Sequence, residues 1–527
     1  MTELREPPTT DKQPPGDAEA PVQQSLLYRL RHSLRKRFPR LFHHSDSARR
    51  LDVWRERDPV DNVKTTPPAD EFVDLRCLWA VEFYTPAYVD ALLAGFQSLG
   101  WGKGDGSSLQ DPVAWVQRLN EHPYGSGWLN LGVIQPPNTD TFFLPPCRKA
   151  PLPAGVHYAT GELHSFTSSL TCIVMGFMFE EKFSRQFDEA LRAKRQTYTK
   201  PLRRGYQICG PEEQKTDHIR QIRAEIGDLA AVWFRQNLPG LFSSGLLGGE
   251  QPTCEFVTLR GAEPFPSHSE GNIRPPAYIS ILDLASSFDA WQSADMPGLK
   301  FSVLRRNERD PRYHSILATK ESDFDDEKIT SWGGSGRTGQ ISYIDEIFTS
   351  LLSRRAILTL LEGYSWHLDA MRDAATSRPG ARQKRPLEVL HIFGKHISYS
   401  VDIAAVTAEL IPYAQERTLF GHGVETFEPC DDRHYGDGFT LVKGLRLEIE
   451  KRATWLQKTD QSLRDHLTQY GSLLGAKENI RVQKKLSVLT VIVIFLTLAM
   501  LWTAAADSET VLRLLQWVRG FWANPYS

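Results

Sequence analysis

Residues 486–506 read Leu-Ser-Val-Leu-Thr-Val-Ile-Val-Ile-Phe-Leu-Thr-Leu-Ala-Met-Leu-Trp-Thr-Ala-Ala-Ala, a run of 21 residues without one charge. At about 1.5 Å per residue a helix of this length covers roughly 30 Å, the hydrocarbon thickness of a bilayer. Arg481, Lys484 and Lys485 precede it, whereas Asp507 and Glu509 follow. The run therefore predicts a membrane helix over 486–506, with Trp502 at an interface and the N-terminal side in the cytoplasm, since basic flanks stay on that side. A helix buried in a soluble core is the alternative. Residues 507–527 carry Val511, Leu512, Leu514, Leu515, Trp517, Val518, Phe521 and Trp522, interrupted by Arg513 and Arg519. Too short for an ordinary second span, this tail reads as an amphipathic helix at the far interface. A tilted second span formed within an oligomer is the competing reading.

Upstream, Val442, Ile449, Leu456, Leu463 and Tyr470 fall seven apart, and Leu445, Ala453, Leu467 and Leu474 supply a second seam. Such a heptad pattern predicts a coiled-coil or bundle stalk in which the first set joins parallel copies. Glu448 with Arg452 and Asp460 with Arg464 add i,i+4 pairs. Ile344, Phe348, Leu351, Leu352, Leu358 and Leu361 mark one earlier helix, and Leu387 to Ala414 another, so that 340–485 reads as a helical bundle and stalk. Along the membrane helix Gln483, just before the uncharged run, and Thr490 and Thr497 within it are also seven apart. They either line a pore or bundle interior, as polar groups avoid lipid, or bond their own i−4 carbonyls and face anywhere.

Before residue 340 the pattern is mixed. Phe72–Val81, Leu129–Ile134, Thr167–Met178, Cys254–Leu259, Tyr278–Leu284, Phe301–Leu304 and Ser315–Thr319 read as strands, with helices at Ala87–Leu99 and at about 181–196 and 212–237. This predicts a cytosolic α/β domain over 71–335. Residues 1–24, rich in proline and acids, read as a disordered tail. Over 25–44, apolar positions at helical spacing alternate with Arg29, Arg31, Arg35, Lys36, Arg37 and Arg40, a pattern suited either to an anionic membrane surface or to a peripheral helix. Polar residues 45–70, with Pro59, Pro67 and Pro68, read as a linker.

Over the whole chain of 527 residues, 62 Lys+Arg balance 64 Asp+Glu. A net charge of −2 excludes a globally basic nucleic-acid binder. Six scattered cysteines without CxxC spacing fit a reducing compartment rather than a disulfide framework or zinc site.

The charged heptad helix running into Asn479-Ile480-Arg481-Val482-Gln483-Lys484-Lys485-Leu486 and then Leu489-Thr490-Val491-Ile492-Val493-Ile494-Phe495-Leu496-Thr497-Leu498 resembles the stalk and first membrane helix of CorA-like magnesium transporters. The match covers about 70 residues, or about 190 if the helices from 342 belong to the same bundle. The resemblance implies a homo-oligomer, a pentamer in that family, with an N-terminal cytosolic α/β domain and a pore lined by the first membrane helix. Departures are specific. Thr497 stands where the family has proline, Ala506-Asp507-Ser508 stands where it has Gly-Met-Asn, and the second span is reduced to the Arg-bearing tail. Ion selectivity is therefore not carried over to any residue.

Other candidate chemistry is sparse. Gly333-Gly334-Ser335-Gly336-Arg337-Thr338-Gly339 could offer N–H groups to phosphate but lacks the Lys-Ser/Thr of a P-loop, and a hinge is the plainer reading. His268-Ser269-Glu270 has deaminase-like HxE spacing without a PCxxC partner. Asp323, Asp325, Asp326 and Glu327, and Asp431, Asp432, His434 and Asp437, form acidic loops that suit a divalent cation, or water alone. The expected function is a CorA-like oligomeric membrane protein, a divergent cation channel or transporter gated by its cytosolic domain. Its rivals are a membrane-anchored sensing or effector module without transport, and a membrane-anchored enzyme.

Overall fold

The computed structural model describes residues 46–102, 110–121, 126–138, 147–201, 206–245, 251–266, 275–304, 314–331, 334, 336–376, 402–431, 435–436, 438–506 and 509–523. Arg29, Arg31, Arg35, Lys36, Arg37 and Arg40 lie outside these residues, as does His268-Ser269-Glu270. In chain order the elements are α1 (Asp46–Lys64), β1 (Val73–Tyr84), α2 (Val89–Ser98), α3 (Pro112–Glu121), β2 (Gly127–Gln135), β3 (Arg148–Lys149), β4 (Val156–Thr167), β5 (Leu170–Phe179) and α4 (Glu181–Arg192). Next come β6 (Tyr198–Pro201), β7 (Tyr206–Cys209), α5 (Pro211–Asn237), β8 (Thr253–Leu259), α6 (Ala277–Ile281), β9 (Ala290–Ser293), β10 (Lys300–Val303), β11 (His314–Lys320) and α7 (Asp326–Thr330). The chain continues with α8 (Arg337–Thr376), α9 (402–415), α10 (Arg417–Gly421), β12 (Phe427–Pro429), α11 (Leu441–Ala506) and α12 (Glu509–Ala523).

Ten strands form one mixed sheet in the order β12-β9-β10-β11-β8-β1-β5-β4-β2-β3. β8 with β11 and β2 with β3 pair in parallel, and the other neighbours are antiparallel. Every residue of β1 is buried, as a central strand covered on both faces requires. On one face Val73, Leu75, Leu78, Ala80 and Tyr84 join a core with Phe183 and Phe187 of α4 and Ile219, Ile222, Ile226, Ala230, Trp233 and Phe234 of α5. Their spacing of three or four residues gives each helix one apolar stripe. On the opposite face Trp79 meets Phe348 of α8 at a ring-centroid distance of 5.3 Å. The result is a three-layer helix–sheet–helix arrangement.

The chain divides into two compact units. Among the described residues, one contains the sheet and joins those up to Tyr364 to those of Ala405–Thr454, and the other joins those of Ser365–Ala404 to those from Trp455 onward. The sheet domain thus recruits elements well beyond residue 335. β12, which lies in the stretch expected to be a helical bundle, pairs with β9. Glu409 of α9 accepts hydrogen bonds from Ser168 Oγ (2.6 Å), Ser169 N (2.9 Å) and Ser169 Oγ (2.8 Å), capping the turn between β4 and β5.

Three local expectations change. Residues 46–64, expected in a linker, are helical despite Pro59, because Asp58 accepts from Thr197 N at 2.9 Å and Asn62 Nδ2 donates to Arg195 O at 2.7 Å, tying α1 to the domain. Tyr278–Leu284, expected as a strand, is the short helix α6 followed by a turn in which Asp283 adopts a φ of 58°. The run Thr167–Met178 is a hairpin corner plus β5, and its partner β4 is a further strand.

The second unit contains the later part of α11. Leu456, Leu463 and Leu467 there are 1%, 7% and 3% exposed in a single chain. In the first unit Ile449 and Ala453 are fully buried, and Arg452 pairs with both Glu448 and Glu362 of α8. The apolar seam expected to join copies is therefore occupied within one chain at Ile449, Leu456 and Leu463. Val442 is only half-buried.

Candidate functional site

Strand alternation carries Cys77, Trp79, Val81 and Phe83 of β1 to the α8 face, and with them Tyr158, Thr160, Glu162 and His164 of β4. Pairing through β5 sets Trp79, Gly176 and Thr160 in one row, and Val81, Val174 and Glu162 in the next. Gly176 makes the first row a notch. A Cβ there would lie 2.7 Å from Thr160 Oγ1 and 3.0 Å from both Met178 Cε and Trp79 Nε1. Into this notch α8 projects Asp345, whose Oδ1 accepts the Trp79 indole N–H at 2.6 Å. One turn further along α8, Thr349 Oγ1 donates to Glu162 Oε2 at 2.7 Å. His164 Nε2 lies 3.2 Å from the same carboxylate oxygen.

The electrostatics follow from burial. Asp345 is pushed up to about 7, first by desolvation and then by the Glu162 charge, although the Trp79 bond opposes the shift. Glu346 is raised for the same two reasons. A carboxyl with this poise binds or releases one proton near neutrality. On the other face of the sheet Glu82 is likewise pushed up to about 7 by burial, while accepting from Phe242 N (2.7 Å) and Ser243 N (2.8 Å). Glu255 is the contrast: burial alone would raise it, but Arg223 at 2.7 Å and His314 hold it at about 2.

The start of α8 is anchored by charge. Arg337 Nη1 lies 2.9 Å from Asp74 Oδ1, which also accepts from Ser184 Oγ at 2.6 Å, and Arg76 joins Asp74 to Thr258 and Gln340. The cation of the glycine-rich stretch is thus committed to a carboxylate. Gly339 approaches Gly334 so closely that a Cβ would sit 1.8 Å from the Gly334 carbonyl oxygen. Asp325, from the first acidic loop, accepts from Glu327 N and caps α7. Among the described residues no group of three or more His, Cys, Asp or Glu has an arrangement that could hold a metal ion. Cys77, Cys172 and Cys254 are buried, with thiols pushed well up by desolvation, which suits packing rather than nucleophilic chemistry.

At the C-terminal end, Asn479–Thr503 is long and apolar enough to cross a membrane, with a mean hydropathy of 2.4 and none of its window buried in the single chain. Thr490 Oγ1 donates to Leu486 O at 2.8 Å and Thr497 Oγ1 to Val493 O at 2.7 Å. Both hydroxyl protons are satisfied inside the helix, which leaves oxygen lone pairs as the polar surface. Gln483, Thr490 and Thr497 are all exposed and are not brought together with any partner among the described residues. α12 is a separate 15-residue helix with Leu512, Leu514, Leu515 and Trp517 exposed.

Sequence reasoning missed Asp345, Glu162 and His164. The signal was present in Val156–Thr167, where apolar and polar residues alternate, and in an aspartate among the apolar positions of α8. No family model matches the chain, and no curated protein compared with it matches.

Proposed function

We propose that this protein is a CorA-like oligomeric membrane protein in which the α/β domain controls a cation passage built from the C-terminal helix. The observation that carries this reading is α11, one uninterrupted helix of 66 residues from Leu441 to Ala506. A tether needs only a flexible linker, whereas a continuous helix transmits rotation and tilt along its length. Its start is joined to α8 through the Arg452–Glu362 ion pair, and α8 holds Asp345 in the sheet notch. A proton taken up or lost at Asp345 changes the force between α8 and the sheet, and α8 bears on the helix that becomes the span. The basic residues Arg481, Lys484 and Lys485 favour a cytoplasmic α/β domain.

A second reading, an anchored sensing module without transport, is favoured by the threonine hydroxyls that donate to their own helix. Reconstitution into liposomes loaded with a cation-sensitive dye separates the two. Flux above that of protein-free liposomes supports the passage, and its absence leaves the anchored module.

A further inference from the structure

Arg195, just ahead of the β6–β7 ribbon, is fixed by its backbone. Its N–H donates to Asn62 Oδ1 at 2.8 Å and its carbonyl accepts from Asn62 Nδ2 at 2.7 Å. Its guanidinium Nη2 lies 2.6 Å from His218 Nδ1 of α5. A guanidinium can only donate, so Nδ1 accepts and the imidazole is held neutral with its proton on Nε2. About one helical turn earlier on α5, Lys215 is fully buried, and its Nζ donates to Thr66 Oγ1 at 3.2 Å. Thr66 Oγ1 in turn donates to Asn62 O at 2.7 Å, so Asn62 ties both ends of the group to α1.

Donors outnumber acceptors in this corner. An ammonium carries three protons, and among the described residues Thr66 Oγ1 is the one acceptor that Lys215 has. Arg195 Nε is buried and has no hydrogen-bond partner among them. The carboxylate built into the same corner, Asp58, is spent on Thr197, accepting from its N–H at 2.9 Å and from its hydroxyl. Burial first and the Arg195 charge second lower Lys215 to about 8, and the same two causes lower His218. Buried charges in folded proteins are paired or bound to an ion, which makes an anion the missing element. Exposed Lys194 and Lys200 flank the group, and residues 193–201 hold no aspartate or glutamate, so the local field draws anions in.

We propose that Lys215, Arg195 and His218 form a binding site for the phosphate group of a phosphorylated ligand. A phosphate dianion matches two fixed positive charges, and its oxygens accept from the unfilled ammonium protons, from Arg195 Nε and from His218 Nε2–H. Lys215 is fully buried whereas Arg195 and His218 are half-buried, so the ligand enters from the Arg195–His218 side. The site lies with α5, across the sheet from Asp345, and stands whether or not the protein conducts.

The test is thermal unfolding of the full chain in detergent, followed by tryptophan fluorescence, in sodium phosphate against sodium chloride of equal ionic strength. Phosphate strengthens apolar burial in any protein, so the reading is the difference between wild type and Lys215→Met. That variant replaces an unpaired buried charge by an apolar chain of similar length and should fold at least as stably. Wild type should gain about 3 °C more from phosphate than Lys215→Met does. Lys200→Ala, which removes an exposed cation, should respond as wild type. A second arm repeats the comparison in phosphatidylcholine liposomes with and without a phosphoinositide. A gain confined to that arm assigns the phosphate to a lipid headgroup, and a gain with inorganic phosphate assigns it to a soluble ligand. Equal gains for wild type and Lys215→Met in both arms would overturn the proposal, as would a loss in Lys200→Ala as large as that in Lys215→Met.

Discussion

The indole N–H of Trp79, on the central strand, donates to the carboxylate of Asp345, on the helix that covers the sheet, at 2.6 Å. Trp79 is fully buried and Asp345 half-buried, and Gly176 between the strands provides the space in which they meet. The bond joins the α/β sheet to α8 at a group that titrates near neutrality.

Asp345 gives the domain a defined pH dependence. Its folded pKa of about 7 lies above the ordinary aspartate value. Between about pH 4 and pH 7 the folded chain keeps a proton that the unfolded chain releases, so stability falls as pH rises, by at most about 1.4 kcal/mol per pH unit from this group. Asp345→Asn removes that slope. Melting temperatures should favour the variant increasingly as pH rises toward neutrality, with a residual slope of the same sign from Glu82. A constant difference across the range would show that Asp345 is ionised throughout.

Trp79→Phe deletes the donor and keeps the ring. The buried carboxyl then loses its indole partner, an effect of about 1–3 kcal/mol in denaturant unfolding. In the Asp345→Asn background the same change should cost less, because a neutral acceptor is less expensive to leave unpaired. Additive losses would mean that the two groups act independently.

Gly176→Ala places a methyl group against Trp79 Nε1, Thr160 Oγ1 and Met178 Cε, all within 3.0 Å. Overpacking of this kind destabilises by about 1–3 kcal/mol. A fully stable variant would show that Trp79, Thr160 and Met178 give way around the notch.

How far these features could be read in the sequence depended on whether local pattern or long-range contact decides them. The runs that became β1, β8, β10 and β11 were legible, since each carries apolar residues such as Leu78-Trp79-Ala80-Val81, Phe256-Val257 and Ile316-Leu317-Ala318 where a strand is covered on both faces. β4 was not, because Tyr158, Thr160, Glu162 and His164 are polar residues turned to a covered face, and the group that bonds Glu162, Thr349 of α8, lies far along the chain. Pro59 argued for a linker that tertiary hydrogen bonds to 195–197 override. The heptads of α11 were legible as a seam, but a seven-residue repeat has the same form whether its partner is another copy or the same chain.

That distinction predicts the effect of Leu456→Asp with Leu463→Asp. Both side chains are buried in a single chain, so the pair should lower the stability of the chain itself by about 3 kcal/mol or more. The loss in melting temperature should not depend on protein concentration. A loss that fades at high concentration would return these residues to an interface between copies.

Control of a cation passage by the α/β domain is tested most directly by flux from liposomes reconstituted with the full chain, measured while the pH on the side of that domain is stepped through neutrality. Flux should exceed that of protein-free liposomes and change across about pH 6 to pH 8 as the Asp345 carboxyl titrates. Asp345→Asn should abolish this pH response while flux remains. Flux indistinguishable from protein-free liposomes at every pH would contradict it.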